Sequence, residues 1–301
     1  MSDVDLAVDL AGLAMPTPVM TAAGCAGREL AAYSDLTALG AFVTRTVTLD
    51  ACAGSPPPRV VETPSGVVSA VGLQNPGLQG FLTTDLPWLA QRRVRTVVSA
   101  SAGSLAEYGE LARRLATAPG VDAVEVHLEV SDAHQTGKAV HVVRRDLPVG
   151  VPVLAKLGAG GDVVGLARAA VDNGADAVVV SQGFPALVID PRTLRPTLGA
   201  GPGLLSGPAV LPLALRCVWD IHEAMPEVPV VGAGGVRTGF DALSMLLAGA
   251  TAVQLGSVLL RDPAAADRIT RELADELAVR DLKSAADAVG LAHQQPEGTR
   301  R

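Results

Sequence analysis

The sequence predicts a (β/α)8 barrel, and three observations carry the prediction. A repeated phrase comes first: a glycine ends a helix in the left-handed conformation, one or two small residues turn the chain, and an apolar, β-rich run follows. It appears at Gly40-Ala-Phe-Val-Thr44, Gly120-Val-Asp-Ala-Val-Glu-Val126, Gly174-Ala-Asp-Ala-Val-Val-Val180 and Gly249-Ala-Thr-Ala-Val-Gln-Leu255. A second phrase alternates with it, Val151-Pro-Val-Leu-Ala-Lys-Leu-Gly158 and Val228-Pro-Val-Val-Gly-Ala-Gly-Gly235, at an interval that suits two βα units. Finally, eight apolar runs alternate with amphipathic helical patterns across 301 residues. Such alternation implies a parallel sheet covered by helices, and eight units fit its closure into a barrel. A doubly wound open sheet is the alternative architecture, but no GxGxxG follows the first strand.

Taken in order, the first strand is expected at 17–22 and the second at 41–47, after Gly40. A long connection, 48–94, holds Ser55-Pro-Pro-Pro-Arg59 and Glu62-Thr-Pro-Ser-Gly66 and is expected to form a lid insertion after strand two. Strand three is expected at 95–101, followed by a helix at 105–117. Strand four, at 122–130, alternates apolar Val124, Val126 and Leu128 with polar Glu125, His127 and Glu129. Strand five (151–157), a helix (164–173) and strand six (176–181) follow. A second long connection, 182–208, contains Asp190-Pro-Arg-Thr-Leu-Arg-Pro196 and is expected to form a small hairpin insertion after strand six. A helix at 210–224, strand seven at 228–232, a helix at 239–247, strand eight at 251–256 and a helix at 263–279 complete one domain over 1–301. Both long connections leave the C-terminal ends of strands, the barrel face where catalytic groups collect, so they are expected as lid and site wall.

Composition narrows the function. The chain is 49% hydrophobic, 18% charged and 3% aromatic, an aliphatic make-up that excludes disorder. The net charge is −7 and the 24 Lys+Arg form no basic cluster, which excludes nucleic acid as a partner and leaves a small molecule. Cys25, Cys52 and Cys217 are odd in number and without CxxC spacing, so a disulfide framework or zinc site is not expected. Early Asp3, Asp5 and Asp9 do not fit a secretory signal. The uncharged run 242–260 carries Ser244, Thr251, Gln254 and Ser257 and reads as buried helix, turn and strand, not a membrane span. A soluble, cytoplasmic protein is expected.

Gly232-Ala-Gly-Gly-Val236 and Leu255-Gly-Ser257 follow strands seven and eight, where barrel enzymes cradle a phosphate with backbone N–H groups. Lys156 ends an apolar strand and is one of only three lysines. A buried ammonium must be paired or functional, as a Schiff-base lysine or as a countercharge to a reduced flavin. His127 and His134 are acid/base candidates. His127, Glu129 and His134 match no metal-ligand spacing, so no metal is expected. Cys25 follows strand one and is a candidate to face the site, with no base beside it in the sequence to activate the thiol.

From Leu10 to about Pro263 the chain resembles the dihydroorotate dehydrogenases, closest to the class 1B-type catalytic subunit. The resemblance runs through Thr21-Ala-Ala-Gly24, Arg45-Thr-Val-Thr-Leu49, Pro58 to Gly66, Gly72-Leu-Gln-Asn-Pro-Gly77, Leu86-Pro-Trp-Leu89 and Ala102-Gly-Ser104. It continues through Lys156-Leu157, Ile189-Asp190, Arg195-Pro196, Leu205-Ser-Gly-Pro-Ala209, Gly232-Ala-Gly-Gly235 and Gly249 to Ser257. It implies an FMN site with the phosphate held by Gly234, Gly235, Gly256 and Ser257 and with Lys156 near flavin N1. Ala22, Ala23, Arg45, Thr46, His127, Ser206 and Gly207 would line the flavin. Arg45, Ser69, Gly72, Leu73, Asp132 and Gln182 would face the substrate.

The departures fall in the substrate half. The family's strand-four signature Asn-Ile-Ser-Cys-Pro-Asn, whose cysteine is the catalytic base, reads His127-Leu-Glu-Val-Ser-Asp132 here, with Val130 at the base position. Ser69, Asp132 and Gln182 stand where asparagines are expected, Arg45 where a lysine is, and Ala100 in place of an asparagine on strand three. An unpaired buried group costs about 1–3 kcal/mol, so such changes alter substrate binding unless other groups rebuild it. His127, Glu129 and Ser131 are the candidate bases, with Lys156 beside the flavin. The expected activity is FMN-dependent oxidation of dihydroorotate or, given these changes, of another small cyclic or carboxylate substrate. A non-catalytic paralogue binding FMN or another phosphorylated ligand, and flavin-free chemistry at Lys156, are the alternatives. Partners implied are a second copy of the chain or an electron-transfer subunit with FAD and an iron–sulfur cluster.

Overall fold

A computed structural model describes residues 4–128, 132–158 and 161–294. Its centre is a parallel sheet of eight strands: β1 (Val19–Thr21), β2 (Phe42–Val43), β3 (Thr96–Ala100), β4 (Ala123–His127), β5 (Val153–Lys156), β6 (Ala177–Val180), β7 (Val230–Ala233) and β8 (Ala252–Leu255). From β2 onward each strand pairs with the next in chain order, and β8 pairs with β1. The remaining gap closes around the two-residue β2. Gly40 donates to the Val19 carbonyl at 2.8 Å, Thr21 N–H to the Ala41 carbonyl at 3.2 Å, and Val43 N–H to Thr21 Oγ1 at 2.8 Å. The barrel is the expected (β/α)8 fold; seven strands lie inside the segments the sequence marked, and β7 reaches one residue beyond its own.

The strands are buried on both faces, which explains their near-continuous Val and Ala. Met20, Val97, Leu154, Val179 and Val231 fill the interior, together with Leu10, Leu13 and Met15 of an N-terminal hairpin, Val8–Leu10 and Leu13–Met15. The opposite faces pack against α1 (Gly77–Gln91), α2 (Leu105–Ala116), α3 (Ala133–Asp146), α4 (Val163–Asp172), α5 (Leu211–Ala224), α6 (Gly239–Leu247), α7 (Ser257–Arg261) and α8 (Ala265–Ala278).

One expectation needs correction. The connection 48–94 is not all insertion, because its second half is the barrel helix α1. Gly77, Gly80 and the internal Pro87 hide the helical pattern, while Asn75 Oδ1 starts the helix by accepting from Gly77 N–H at 2.8 Å. The remaining part of 48–94, the expected lid, and the connection after β6, the expected wall, join each other. Strands Val60–Thr63, Gly66–Ser69, Gly203–Ser206 and Phe184–Ala186 form one antiparallel sheet over the barrel mouth. Its seam pairs Ser206 with Val67 and Leu204 with Ser69. A Cβ on Gly66 would lie 2.1 Å from the Ser206 carbonyl oxygen, so only glycine permits this approach. The expected small hairpin pairs Ile189–Asp190 with Arg195–Pro196 beside this roof.

The run 242–260 folds as α6, a turn at Gly249, β8 and α7. Among the described residues no helix is long and apolar enough to cross a membrane.

Candidate active site

Between the C-terminal strand ends and the roof lies a cavity of about 610 Å³, within the range of small-molecule and cofactor sites. Two of its sides take their shape from glycine. After β7, Gly234 and Gly235 adopt φ of 125° and 79°, and a Cβ on Gly235 would lie 2.6 Å from the Leu211 backbone nitrogen. After β8, Gly256 precedes α7 and Ser257 opens it, so the first N–H groups of that helix lack intrahelical partners. At this end, Ser181 Oγ is buried and has no hydrogen-bond partner among the described residues.

The floor is polar and buried. Lys156 Nζ, at the end of β5, donates to Gln254 Oε1 of β8 at 2.7 Å. Gln254 Nε2 donates in turn to Glu125 Oε2 of β4 at 2.7 Å, and Glu125 Oε1 lies 3.6 Å from Lys156 Nζ. The three residues are 6%, 1% and 0% exposed. His127 stands opposite Lys156 in the β4–β5 register and lines the cavity. Desolvation, then the Lys156 charge, pushes its pKa down to about 4, against a smaller opposing pull from Glu125. Its imidazole is therefore neutral at physiological pH. Burial pushes the Cys25 thiol up, against the attraction of Lys156 and Arg45.

The remaining walls come from the insertions. Arg45, after β2, lines the cavity with an exposed guanidinium whose Nη1 reaches the Gln74 carbonyl at 3.4 Å. Arg59 staples the lid by donating to the Ser55 and Ala53 carbonyls and to Gln74 Oε1. Gln182 Nε2 donates to the Leu128 carbonyl at 2.9 Å, which commits the amide nitrogen to backbone and leaves Oε1 as its cavity-side acceptor.

The structure thus brings together Ala22, Ala23, Arg45, Thr46, His127 and Lys156. Gln182, Ser206, Gly234, Gly235, Gly256 and Ser257 join them, with Ser69, Gly72 and Leu73 from the lid. Gly207 stands just behind the wall at φ 104°, where it lets the chain turn against Gly66. Asp132 is not brought into the group. Its carboxylate accepts from Gln135 N–H at 2.8 Å and caps α3, the ordinary use of Asp before a helix. Glu129 and Ser131, with Val130, lie outside the described residues. Gln254 and Ser181 were missed by sequence reasoning. The signal for Gln254 was present, since a glutamine inside an otherwise apolar buried strand must find a polar partner.

The cavity fits a phosphorylated flavin on its own features: a glycine-lined end with free helix-terminal N–H groups, an orphaned serine hydroxyl, and a lysine ammonium in the floor. Among the described residues no group of three His, Cys, Asp or Glu side chains is placed to hold a metal.

Comparison with known proteins gives a consistent answer. Residues 5–277 match the family model described as dihydroorotate dehydrogenase. A protein of Desulforudis audaxviator named dihydroorotate dehydrogenase B (NAD(+)), catalytic subunit, is 41% identical over 97% of this chain and 98% of its own. The proteins of that name from Geobacter sp. strain M21 and Geobacter sulfurreducens are each 39% identical, over 96% of this chain and 99% of theirs.

Proposed function

The chain belongs to the dihydroorotate dehydrogenase family, and from that premise we propose that it oxidises dihydroorotate or a closely related ring carboxylate as the catalytic subunit of an electron-transfer complex. It is an FMN-dependent oxidoreductase. The observation that carries the proposal is the junction, in one roofed cavity, of a glycine cradle, the Lys156 ammonium and the exposed Arg45 guanidinium.

FMN, when bound, supplies the acceptor for a hydride. The chain's own groups supply the rest. Gly234, Gly235, Gly256 and Ser257 offer backbone N–H donors to a phosphate. Arg45 presents a planar fork suited to a carboxylate. Gln182 Oε1 accepts from a ring N–H. The roof sheet keeps bulk water from the reacting face.

The proton acceptor comes from the stretch after β4. His127, pushed to about 4, is a weak base near neutral pH, and His134, exposed on α3, does not line the cavity, which leaves Glu129 and Ser131. Lys156 is held by Gln254 and Glu125 as an ammonium, not as the free amine that Schiff-base chemistry requires. An electron-transfer subunit with FAD and an iron–sulfur cluster is the partner proposed, with a homodimer of this chain as its core.

The test is the visible spectrum of the purified protein, identification of the released chromophore, and anaerobic titration with dihydroorotate and other ring carboxylates. Bound FMN bleached by dihydroorotate is the expected result. Bleaching only by another ring carboxylate redirects the substrate. A colourless protein that takes up no FMN overturns the proposal.

A further inference from the structure

Glu125 raises a question that the fold does not answer. A fully buried carboxylate in a barrel wall is expensive, and an apolar side chain of similar size would serve packing as well or better. It does not line the cavity, so it touches neither flavin nor substrate. Its contacts run in one direction: it accepts from Gln254 Nε2, and Gln254 Oε1 accepts from Lys156 Nζ. A carboxylate only accepts and an ammonium only donates, so the amide of Gln254 has one permitted orientation, and a flip would break both bonds. The chain therefore fixes Lys156 Nζ between three strands, β4, β5 and β8. Among the described residues, one hydrogen bond engages the three N–H donors of Lys156, and the others remain for whatever occupies the cavity.

We propose that Glu125 and Gln254 are positioning residues that hold the Lys156 ammonium against the flavin and thereby set the flavin's reduction potential. A fixed positive charge favours the reduced, more negative form of the ring, and a charge free to swing or shed its proton favours it less. The inference rests on the flavin reading of the cavity, and two measurements make the two ideas fail separately.

The first is the midpoint potential of the FMN-loaded protein, alone and with its partner subunit. Lys156→Met lowers the potential. Gln254→Leu breaks both hydrogen bonds of the chain and keeps both charges. It is expected to lower the potential in the same direction, with the reduced-over-oxidised preference falling about tenfold, equivalent to about 30 mV for a two-electron couple. Added to Lys156→Met, the Gln254→Leu change is expected to shift the potential no further, because it acts through the lysine. A potential that rises or stays in place in Gln254→Leu, or an equal shift in both backgrounds, overturns the proposal.

The second measurement needs no flavin. Of the chain's lysines, Lys138 and Lys283 are exposed and exchange their ammonium protons quickly. Lysine labelled with 15N is expected to give one slowly exchanging ammonium cross-peak, which Lys156→Met removes. Glu125→Gln and Gln254→Leu are both expected to lose it. The Gln254 variant retains both charges and keeps the proposal testable if Glu125→Gln does not fold. A cross-peak that survives both changes overturns the positioning role. A protein that binds no FMN overturns the flavin reading, while the cross-peak still decides the inference.

Discussion

Replacing His127 with glutamine removes the most strongly perturbed imidazole of the site and should flatten the acid limb of the stability curve. His127 titrates near the ordinary histidine value of 6.5 in the unfolded chain and at about 4 in the folded one. Between these values the unfolded state binds the extra proton, so stability rises with pH through that window, is fully present above 6.5, and is lost as pH falls towards 4. A gap of about 2.5 units, at 1.36 kcal/mol per unit, gives a contribution of about 3 kcal/mol. This is a ceiling, because the imidazole edge facing the cavity keeps some contact with water. The assay is urea denaturation of flavin-free wild type and His127→Gln at intervals from pH 4 to 7. Other groups titrate in both proteins, so the difference between the curves isolates this histidine. The wild type should lose about 2–3 kcal/mol more than the variant across the window. Parallel curves would refute the buried, neutral imidazole and would return His127 to the candidate bases.

Other consequences are checked more simply. Gly235→Ala puts a Cβ 2.6 Å from the Leu211 nitrogen at φ 79°, a strain of roughly 1–3 kcal/mol. Thermal melting should show that loss, and equilibrium dialysis should show FMN bound at least tenfold more weakly. Asp132→Ala removes the cap of α3 and should cost about 1 kcal/mol in chemical denaturation, with substrate KM unchanged if the carboxylate has no substrate role. Asn75→Ala strands the Thr48 and Gly77 N–H groups that its Oδ1 accepts from, at a cost of about 1–3 kcal/mol, and should increase proteolysis at the base of the lid. Cys25, whose thiol burial pushes up, should resist iodoacetamide at neutral pH, as peptide mass mapping would show.

The barrel was legible because its repeats are local. Each glycine turn and apolar run depends on neighbouring residues alone, and five helices show a clean period. Helix α1 was hidden because Gly80 and Pro87 sit within it and its start depends on a side-chain contact from Asn75. The roof could not be read at all, since the pairing of Gly66–Ser69 with Gly203–Ser206 has no local signature. At the site, glycine motifs and Lys156 stood out because those residue types are rare or costly in such places. Asp132 misled for the opposite reason: an aspartate before a helix suits a cap as well as a ligand, and motif position alone does not separate them. Gln254 was visible as an anomaly, but its partners lie on two other strands.

The seam of the roof also orders the life of the chain. Four barrel strands and four helices separate its two partners in sequence, so it is a strongly non-local contact, as is the β1–β8 pairing that closes the barrel. Contacts of that kind are made late, after the intervening loops have been closed. A ribosome-bound chain that has not yet released residue 206 lacks the ceiling and also β7 and β8, which complete the floor and the glycine-lined end. Whatever enters the cavity is therefore enclosed only once β8 has emerged, and its affinity reinforces contacts between distant parts of the sequence.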